Sequence, residues 1–406
     1  MKIAVIGAGA AGFFGALSCA HHFPEHEIII FEKTHKLLSK VKISGGGRCN
    51  VTNSKFDINQ LHEFYPRGAK ELKKTFVQFN HLDTIKWFES RGVEIIAEAD
   101  GRMFPKSNSS QTIIDCLTDE VKKHNISIVQ GTGLLSVELL SNNQFELMFS
   151  NDNKYQCDRI LIATGGNSHN SAYDWLRKLN IKIQEPVPSL FTFNIPDTIM
   201  QGLQGVVVKN AVVKIKQTKF AEQGITLITH WGYSGPAVLR LSAWAARALH
   251  EMNYQCKIHI NWAGEKKEEE IRQEFVLYKS KHPSKLVFGN PMFDLPRRLW
   301  ERLCEQNGIQ EKIKWAELPN KLLNKLIESI CNDVYDMKGK TTFKEEFVTA
   351  GGVDLEQIDM HTMSSKKHSG IYFAGEVLDI DGITGGFNFQ AAWATGWVAG
   401  KNIGLL

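Results

Sequence analysis

The first 33 residues contain the feature that most constrains how this chain folds. A strand-like run, Met1–Ile6, is followed at once by Gly7-Ala8-Gly9-Ala10-Ala11-Gly12, and an apolar, alanine-rich helix pattern continues to about His22. A second apolar run, Ile28–Phe31, ends in Glu32-Lys33. Strand, Gly-x-Gly-x-x-Gly, helix, strand and acidic residue in this order form the complete dinucleotide-binding fingerprint.

Each part of this fingerprint has a mechanical reason. Gly7 makes the tight turn, Gly9 removes a side chain that would block a pyrophosphate, and Gly12 lets helix and strand pack closely. The helix N-terminus offers unpaired N–H groups to the phosphates. Glu32 accepts hydrogen bonds from ribose hydroxyls and repels a 2′-phosphate, which favours FAD or NAD over NADP. The alternative is a glycine-rich turn without a ligand. The cofactor-binding residues predicted here are Gly7, Gly9, Ala10, Ala11, Gly12, Glu32 and Lys33.

A triple-glycine segment follows the second strand. Three consecutive glycines followed by Arg, Cys and Asn form neither a good helix nor a good strand, but they make a backbone surface that can lie against a planar ring or a phosphate. A plain NAD dehydrogenase has no need of such a loop, although a flexible solvent loop is the alternative. The residues predicted to bind the cofactor are Ser44, Gly45, Gly46, Gly47, Arg48, Cys49 and Asn50.

Two later segments also place glycines where backbone can approach a ligand. The strand-like run Arg159–Ala163 ends in Thr164-Gly165-Gly166, like the Ala-Thr-Gly turn of two-dinucleotide-fold flavoproteins. The C-terminal block joins a strand, an acidic turn, a glycine pair and a helix start, where N–H groups can face an anion; a plain helix-entry turn is the alternative. Its predicted cofactor-binding residues are Gly375, Glu376, Asp379, Gly385, Gly386, Phe387 and Asn388. All segments together favour FAD.

Five stretches carry a resemblance to a known family. They are Ser44–Asn53, Gly101–Ser107, Thr229–Pro236, Thr349–Val353 and Gly375–Gln390. With them the chain resembles, over essentially its whole length, the YhiN/BaiN-type bacterial flavoproteins, often labelled NAD(P)/FAD-dependent oxidoreductases or aminoacetone-oxidase-like proteins. One departure is the run 167–175, Asn-Ser-His-Asn-Ser-Ala-Tyr-Asp-Trp, where the family usually has a glycine-rich stretch with an Asp-Gly pair.

The resemblance implies an α/β fold, in which a Rossmann-like FAD-binding domain is split by a β-barrel-like domain that carries a small helical insert. The predicted boundaries are 1–188 and 348–406 for the FAD-binding domain, 189–263 and 333–347 for the β-barrel-like domain, and 264–332 for the insert. In related flavoproteins the backbone near the strand that starts at Leu134 contacts adenine, so Leu134 and Leu135 are candidate contacts. Residues 70–91 read as one helix, and Thr341–Ala350 as a strand.

Composition and charge limit which partners and which cellular compartment are expected. The 406 residues are 43% hydrophobic and 23% charged, which is globular composition, and a net charge of +4 spread along the chain does not suggest nucleic acid as the main partner. Seven scattered cysteines without a C-x-x-C pair favour a reducing cytoplasm over a disulfide framework or a zinc site, and no metal is expected. No membrane span and no signal peptide are expected.

Three residues are candidates for chemistry at the substrate. His230 and Tyr233 lie in a glycine-bounded turn that the resemblance would bring over the flavin, and either could donate a proton. A loop histidine and a packing tyrosine are the alternatives. Arg48 could neutralise an anionic substrate or the reduced flavin, or form a structural ion pair. Cys49 could be reactive or a covalent flavin anchor, although a small buried cysteine is favoured.

The function predicted from the sequence is an FAD-dependent oxidoreductase. Hydride would pass between flavin N5 and a small apolar substrate, with enone and steroid-like compounds as candidates and NAD(P)H as a transient electron donor. The alternatives are an amine-type oxidase that uses O₂, an RNA-modifying flavoprotein and a non-catalytic FAD-binding protein. The sequence leaves the substrate, the electron donor and the oligomeric state open.

Overall fold

The computed structural model describes residues 1–196, 201–341 and 348–405. These residues form two compact units: unit 1 comprises Met1–Ser189 and Lys344–Leu406, and unit 2 comprises Leu190–Phe343. The middle of the predicted strand Thr341–Ala350, at 342–347, lies outside the described residues, as do the end of the predicted range 333–347 and residue 406. Among the described residues, no helix combines the length and the apolar character needed to span a membrane.

The first stretch of unit 1 alternates strands and helices. Its elements are β1 (Lys2–Ile6), α1 (Ala10–His22), β2 (Glu27–Phe31), α2 (Ser39–Gly47), β3 (Thr52–Asn53), α3 (Ala69–Phe76), α4 (His81–Glu89), β4 (Ile95–Ala97), β5 (Arg102–Pro105), α5 (Ser110–Lys123), β6 (Ser127–Val129), β7 (Leu134–Leu139), β8 (Phe145–Phe149), β9 (Lys154–Cys157), β10 (Arg159–Ile162), α6 (Asp174–Lys178) and β11 (Ile183–Ser189).

Unit 2 combines a sheet with helices. Its elements are β12 (Thr192–Asn194), β13 (Val207–Ile215), β14 (Ala221–Ile228), β15 (Gly232–Ser234), α7 (Pro236–Trp244), α8 (Ala246–Glu251), β16 (Gln255–Asn261), α9 (Glu268–Lys281), α10 (Arg297–Gln306), α11 (Asn320–Cys331), β17 (Asp333–Lys338) and β18 (Lys340–Thr341). The second stretch of unit 1 adds β19 (Val348–Val353), β20 (Ile358–Asp359), β21 (Ser364–Ser365), β22 (Ile371–Phe373) and α12 (Phe387–Ile403).

A seven-stranded sheet organises unit 1, in the order β20-β21-β22-β10-β1-β2-β6. The five strands from β22 to β6 run parallel, and β20 and β21 are antiparallel. The central strands are almost completely buried, as parallel strands covered on both faces must be. The predicted Rossmann-type α/β architecture is therefore confirmed, and β1 and β10 end side by side next to the turn before α1.

Helices α1 and α12 pack together because small residues face each other. A Cβ on Gly400 would lie 2.2 Å from the Gly15 carbonyl oxygen, and one on Gly396 would lie 2.5 Å from the Ala11 oxygen. The Ser18 hydroxyl donates a 2.7 Å hydrogen bond to the Trp397 carbonyl. This close contact fixes the C-terminal helix against the helix of the fingerprint.

One predicted helix is two helices in the structure. The interpretation of residues 70–91 as continuous was wrong, because Asn80 begins a new helix with a capping box. Its side chain accepts a 2.8 Å hydrogen bond from the Leu82 N–H, and the Asp83 carboxylate accepts one from the Asn80 N–H. These bonds provide acceptors for backbone N–H groups that have no partner within the helix at its N-terminus.

Unit 2 is built on a second seven-stranded sheet, in the order β17-β16-β13-β14-β15-β12-β18. The residues 264–332, predicted as a helical insert of this domain, contribute Phe275, Trp300, Trp315 and Leu326 to the same hydrophobic core as the sheet residues. The domain boundaries and the barrel-like shape stay predictions.

Candidate cofactor site

The turn between β1 and α1 has the steric character that the fingerprint predicts. A Cβ on Gly12 would lie 1.9 Å from the Gly7 carbonyl oxygen, and a Cβ on Gly7 would lie 2.4 Å from the Ala163 oxygen, so both glycines are needed for the chain to close. Gly9 differs, because no atom lies within 4 Å of its Cβ position. The open space is therefore at the helix N-terminus, where an anion is stabilised by free N–H groups.

Glu32 stands beside this turn. Its carboxylate accepts hydrogen bonds from the Ala8 N–H at 3.0 Å and from the Thr34 N–H at 2.9 Å. The Thr132 N–H donates to the Glu32 carbonyl oxygen at 2.8 Å, so the segment before β7 runs alongside Glu32-Lys33. Leu135, just beyond it, is 54% exposed. The predicted adenosine contacts at Glu32, Lys33, Leu134 and Leu135 thus belong to one neighbourhood.

The triple-glycine segment is the irregular end of α2. Ser44, Gly45 and Gly46 have non-helical backbone angles within the bounds of that helix. Gly45 packs against Phe104, whose ring carbon would lie 2.9 Å from an added Cβ, whereas Gly46 and Gly47 face space with no atom within 4 Å. The predicted exposed backbone surface is present at these two glycines.

Two asparagines connect this segment to the C-terminal glycine pair. The Asn53 side chain donates a 2.9 Å hydrogen bond to the Gly385 carbonyl oxygen. With its amide oriented to satisfy both neighbours, Asn50 accepts from the Gly386 N–H and donates to the Thr52 carbonyl, each at 3.0 Å. Residues more than 300 positions apart in the chain therefore form one surface.

The glycine pair is held in shape from its other side as well. Asn388 forms two reciprocal 2.8 Å hydrogen bonds with the backbone of Gly382. The ring of Phe387 stacks on Phe64 with 4.5 Å between centroids, which fixes the first turn of α12.

The Thr164–Gly166 turn meets the acidic turn at Glu376. The Glu376 carboxylate accepts a 2.8 Å hydrogen bond from the Thr349 N–H and pairs with Lys40 at 2.6 Å. A Cβ on Gly166 would lie 2.6 Å from that carboxylate, while Gly165 faces open space. The Thr349 hydroxyl is buried with no hydrogen-bond partner among the described residues, which leaves a polar group available to a ligand.

The acidic turn also touches α1. The Gly375 N–H donates to the Thr395 hydroxyl at 2.9 Å, and a Cβ on Gly375 would lie 2.7 Å from that of Ala11. Asp379 continues the turn, where its N–H donates to the Val353 carbonyl at 3.0 Å. The four glycine-bearing segments thus lie together in unit 1, and the open positions at Gly9, Gly46, Gly47 and Gly165 fit a dinucleotide cofactor.

Arg48 is engaged in a structural ion pair. Its guanidinium contacts the Glu98 carboxylate at 2.6 Å and lies 4.0 Å from the centre of the Phe104 ring. Arg102 pairs with the same carboxylate at 2.8 Å. This arrangement favours the structural alternative for Arg48, which holds the triple-glycine segment against β5.

Cys49 has the environment of an inert thiol. Its side chain is completely buried, and burial raises the pKa of the thiol to about 12. The neutral thiol is the dominant form at neutral pH, and the thiolate is the reactive species. The structure therefore favours a packing role for Cys49.

The two candidate proton donors of unit 2 have different surroundings. His230 is exposed in the turn between β14 and β15, where the Thr229 hydroxyl accepts hydrogen bonds from the Trp231 and Gly232 N–H groups at 3.2 Å. Tyr233 is completely buried and its ring packs against Trp262. Packing of this kind favours the structural alternative for Tyr233.

Sequence reasoning missed several residues that shape the site. Lys40 could not be distinguished from the other lysines of the sequence. Asn53 lies at the end of the triple-glycine stretch, but no role was predicted for it. Arg67 and Asp381 form a buried ion pair, and the Ser189 hydroxyl donates to the same Asp381 carboxylate at 2.8 Å. Of this pair, only Asp381 has a role predicted from the sequence: with Glu376 and Asp379 it is expected to orient the ribityl chain or the C-terminal turn, whereas no role was predicted for Arg67.

Comparison with known proteins agrees with this geometry. The family described as HI0933-like protein Rossmann domain matches residues 1–402. A 3-dehydro-bile acid delta(4,6)-reductase of Clostridium scindens is 26% identical over 408 residues, covering 98% of each chain. Proteins named ribosomal RNA dihydrouridine synthase are 29% identical, covering 98% of this chain and 97% of theirs, in Haemophilus influenzae and Escherichia coli.

Solved structures support the fold. A 3-ketosteroid delta1-dehydrogenase from Sterolibacterium denitrificans aligns with 99% of this chain and 98% of its own, at 10% identity and a TM-score of 0.53. A 3-ketosteroid-delta4-(5alpha)-dehydrogenase from Rhodococcus jostii aligns at 9% identity and a TM-score of 0.50, covering 99% and 96% of the two chains. The chain belongs to the HI0933-like Rossmann flavoprotein family and is an FAD-dependent oxidoreductase.

Proposed function

We propose that the protein is a reductase that saturates a carbon–carbon double bond conjugated to a carbonyl group, with NAD(P)H as electron donor. The observation that carries this proposal is the convergence of the glycine-bearing segments in unit 1, with open positions at Gly9, Gly46, Gly47 and Gly165, together with the activities for which the relatives are named. A delta(4,6)-reductase of a 3-dehydro compound and a dihydrouridine synthase both act on such a bond. We favour a small apolar enone as the substrate, and the cytoplasm, where seven free cysteines stay reduced, as the compartment.

We propose that residues of this site hold the cofactor. We assign the pyrophosphate to Gly9 and the first turn of α1, the ribose and adenine to the neighbourhood of Glu32 and Leu134, and the ring system to the surface of Gly46, Gly47 and the Gly385-Gly386 pair. FAD, when bound, supplies hydride to the substrate or accepts it. The remaining proposed contacts are Gly7, Ala10, Ala11, Gly12, Lys33, Ser44, Gly45, Arg48, Cys49, Asn50, Leu135, Thr164, Gly165, Gly166, Gly375, Glu376, Asp379, Phe387 and Asn388.

His230 is the proposed proton donor. An exposed imidazole on a turn held by Thr229 can give its proton to the substrate carbon next to the carbonyl, which completes saturation of the double bond. We expect His230→Gln to lower turnover of an enone by about 10²–10⁴-fold, the usual contribution of a general acid. Flavin reduction by NAD(P)H should stay unchanged, because that step needs no proton at the substrate.

The matched control is Tyr233→Phe, which removes a hydroxyl from the core of unit 2. It should leave turnover within a few-fold of wild type. Equal losses of turnover in the two variants would show that His230 is not the proton donor.

Anaerobic stopped-flow mixing tests the function itself. The FAD-loaded protein is mixed with NADH or NADPH, and loss of flavin absorbance at about 450 nm is followed; the reduced protein is then mixed with a 3-keto-4-ene steroid or with O₂. We expect bleaching by a nicotinamide donor and faster reoxidation by the enone. Rapid reoxidation by O₂ alone, with an amine as the better reductant, would instead identify an amine-type oxidase. No bleaching by either donor would exclude the reductase.

A second candidate is a uracil base in ribosomal RNA, whose C5–C6 double bond is also conjugated to a carbonyl. The relatives of that name favour it, and so does the distribution of charge. The prediction that the net charge of +4 is spread along the chain was wrong. Unit 2 carries +6, with 22 Lys and Arg against 16 Asp and Glu, and unit 1 carries −2. Dihydrouridine in rRNA after incubation with the protein and NAD(P)H, detected by mass spectrometry, tests this candidate.

A further inference from the structure

One face of the unit 2 sheet gathers basic side chains from separate strands. In the β13–β16 pair, Lys214 stands opposite His259, and the Lys216 N–H donates to the Lys257 carbonyl at 2.9 Å, just beyond the end of β13. In the β16–β17 pair, Lys257 stands opposite Asp336, and Gln255 opposite Lys338. Residues opposite one another in antiparallel strands share a face. We call Lys214, Lys216, Lys257, Lys338, His259 and Asp336 the basic sheet face.

The positive charge of this face is largely uncompensated. Its four lysines are exposed, and Lys257 pairs with Asp336 at 2.9 Å. Lys214, Lys216 and Lys338 form no ion pair with any carboxylate of the described residues. The three ammonium groups without an ion pair thus belong to β13, or the residue just beyond its end, and to β17, the two strands that flank β16.

The opposite face of the same strands fixes these positions. It is buried in the core of unit 2 through Val213, Ile215, Ile258, Ile260, Tyr335 and Met337. Neighbouring strands are about 4.8 Å apart, so β13 and β17 lie about 10 Å from each other. A one-residue slip in register would turn the lysines into the core, and the array is therefore held by the packing of the sheet.

We propose that the basic sheet face binds the phosphate backbone of RNA. This inference rests on the second candidate function, in which rRNA is the substrate. It assigns the free energy of RNA binding to the basic sheet face. Lysine ammonium groups neutralise phosphates as point charges without reading sequence. A membrane surface is disfavoured because interfacial binding usually uses an amphipathic helix or a polybasic segment next to one, whereas these lysines stand on a packed sheet.

The test compares two triple variants with equal loss of charge. Lys214→Gln/Lys216→Gln/Lys338→Gln removes the three unpaired charges of the face. The control, Lys312→Gln/Lys321→Gln/Lys325→Gln, removes three exposed lysines of unit 2 outside it, none of them in an ion pair with a described residue. Binding of protein-free ribosomal RNA is measured by gel shift from 50 to 200 mM KCl. FAD content and the rate of flavin reduction by NAD(P)H show that both variants are folded.

The face variant should bind at least about tenfold more weakly at 50 mM KCl, and its plot of log affinity against log salt should be shallower by about 2 to 3. The control should stay close to wild type. Equal effects of the two variants would show that the basic sheet face is not the RNA-binding surface, although the protein would still bind RNA. If the wild-type protein shows no salt-dependent RNA binding, both the proposed role of the basic sheet face and rRNA as the substrate are rejected. The proposal of enone reduction is not affected by that result. Loss of binding to phosphatidylserine vesicles with unchanged RNA binding would assign the face to membranes instead.

Discussion

Replacement of Gly9 by aspartate is expected to abolish FAD binding without destabilising the apoprotein. Gly9 is the N-cap of α1, has extended backbone angles and has no atom within 4 Å of its Cβ position. Aspartate is a better N-cap than glycine by a few tenths of a kcal/mol, so the free energy of unfolding should be equal or slightly higher. A carboxylate in the proposed pyrophosphate space should weaken FAD binding by at least about a hundredfold, through repulsion and volume.

The matched variants separate cofactor loss from misfolding. Gly9→Asn has nearly the same volume as Gly9→Asp without the charge, and it should retain more FAD. Gly12→Ala places a Cβ 1.9 Å from a backbone oxygen, so it should lower both the stability of the apoprotein and the flavin content. The measurements are flavin absorbance after purification, FAD titration and thermal unfolding of the apoproteins. If Gly9→Asp keeps wild-type flavin content, the pyrophosphate does not lie at this turn.

The local parts of the fold were predictable because their signals lie within short windows. The run Met1–Ile6 became β1, and the helix pattern ended at His22 as predicted, since glycine chemistry and apolar runs determine these elements locally. The break at Asn80 had a readable signal in Asn80-x-x-Asp83, but the apolar periodicity of 70–91 hid it.

Contacts between distant residues could not be predicted in the same way. The bonds of Asn50 and Asn53 to Gly385 and Gly386 join residues more than 300 positions apart, and no local rule selects these partners. The burial of Tyr233 depends on the register of β15 with its neighbours, which side-chain periodicity in a three-residue strand does not determine.

Removal of the Asp381 carboxylate is expected to destabilise unit 1 strongly. Asp381 is completely buried, the Arg67 guanidinium binds both of its oxygens, and the Arg67 side chain is only 13% exposed. Asp381→Ala leaves that cation buried without its carboxylate, which typically costs about 3–5 kcal/mol. Because Gly382 and the glycine pair follow directly, FAD affinity should fall as well. Asp100→Ala, which breaks a 2.7 Å pair with Arg102 at a 56% exposed carboxylate, should cost under about 1 kcal/mol.

A double variant distinguishes the charge from the shape of this site. Arg67→Met/Asp381→Leu removes both charges and keeps apolar volume, and such replacements of buried ion pairs are often neutral for stability. We expect it to recover most of the unfolding free energy that Asp381→Ala loses, as measured by urea unfolding of the apoprotein, because the penalty arises from the unpaired cation. Flavin content should recover only partly, since the Ser189 hydroxyl also loses its acceptor. If the double variant is as unstable as Asp381→Ala, the ion pair holds the turn before Gly382 by its geometry rather than by charge neutralisation.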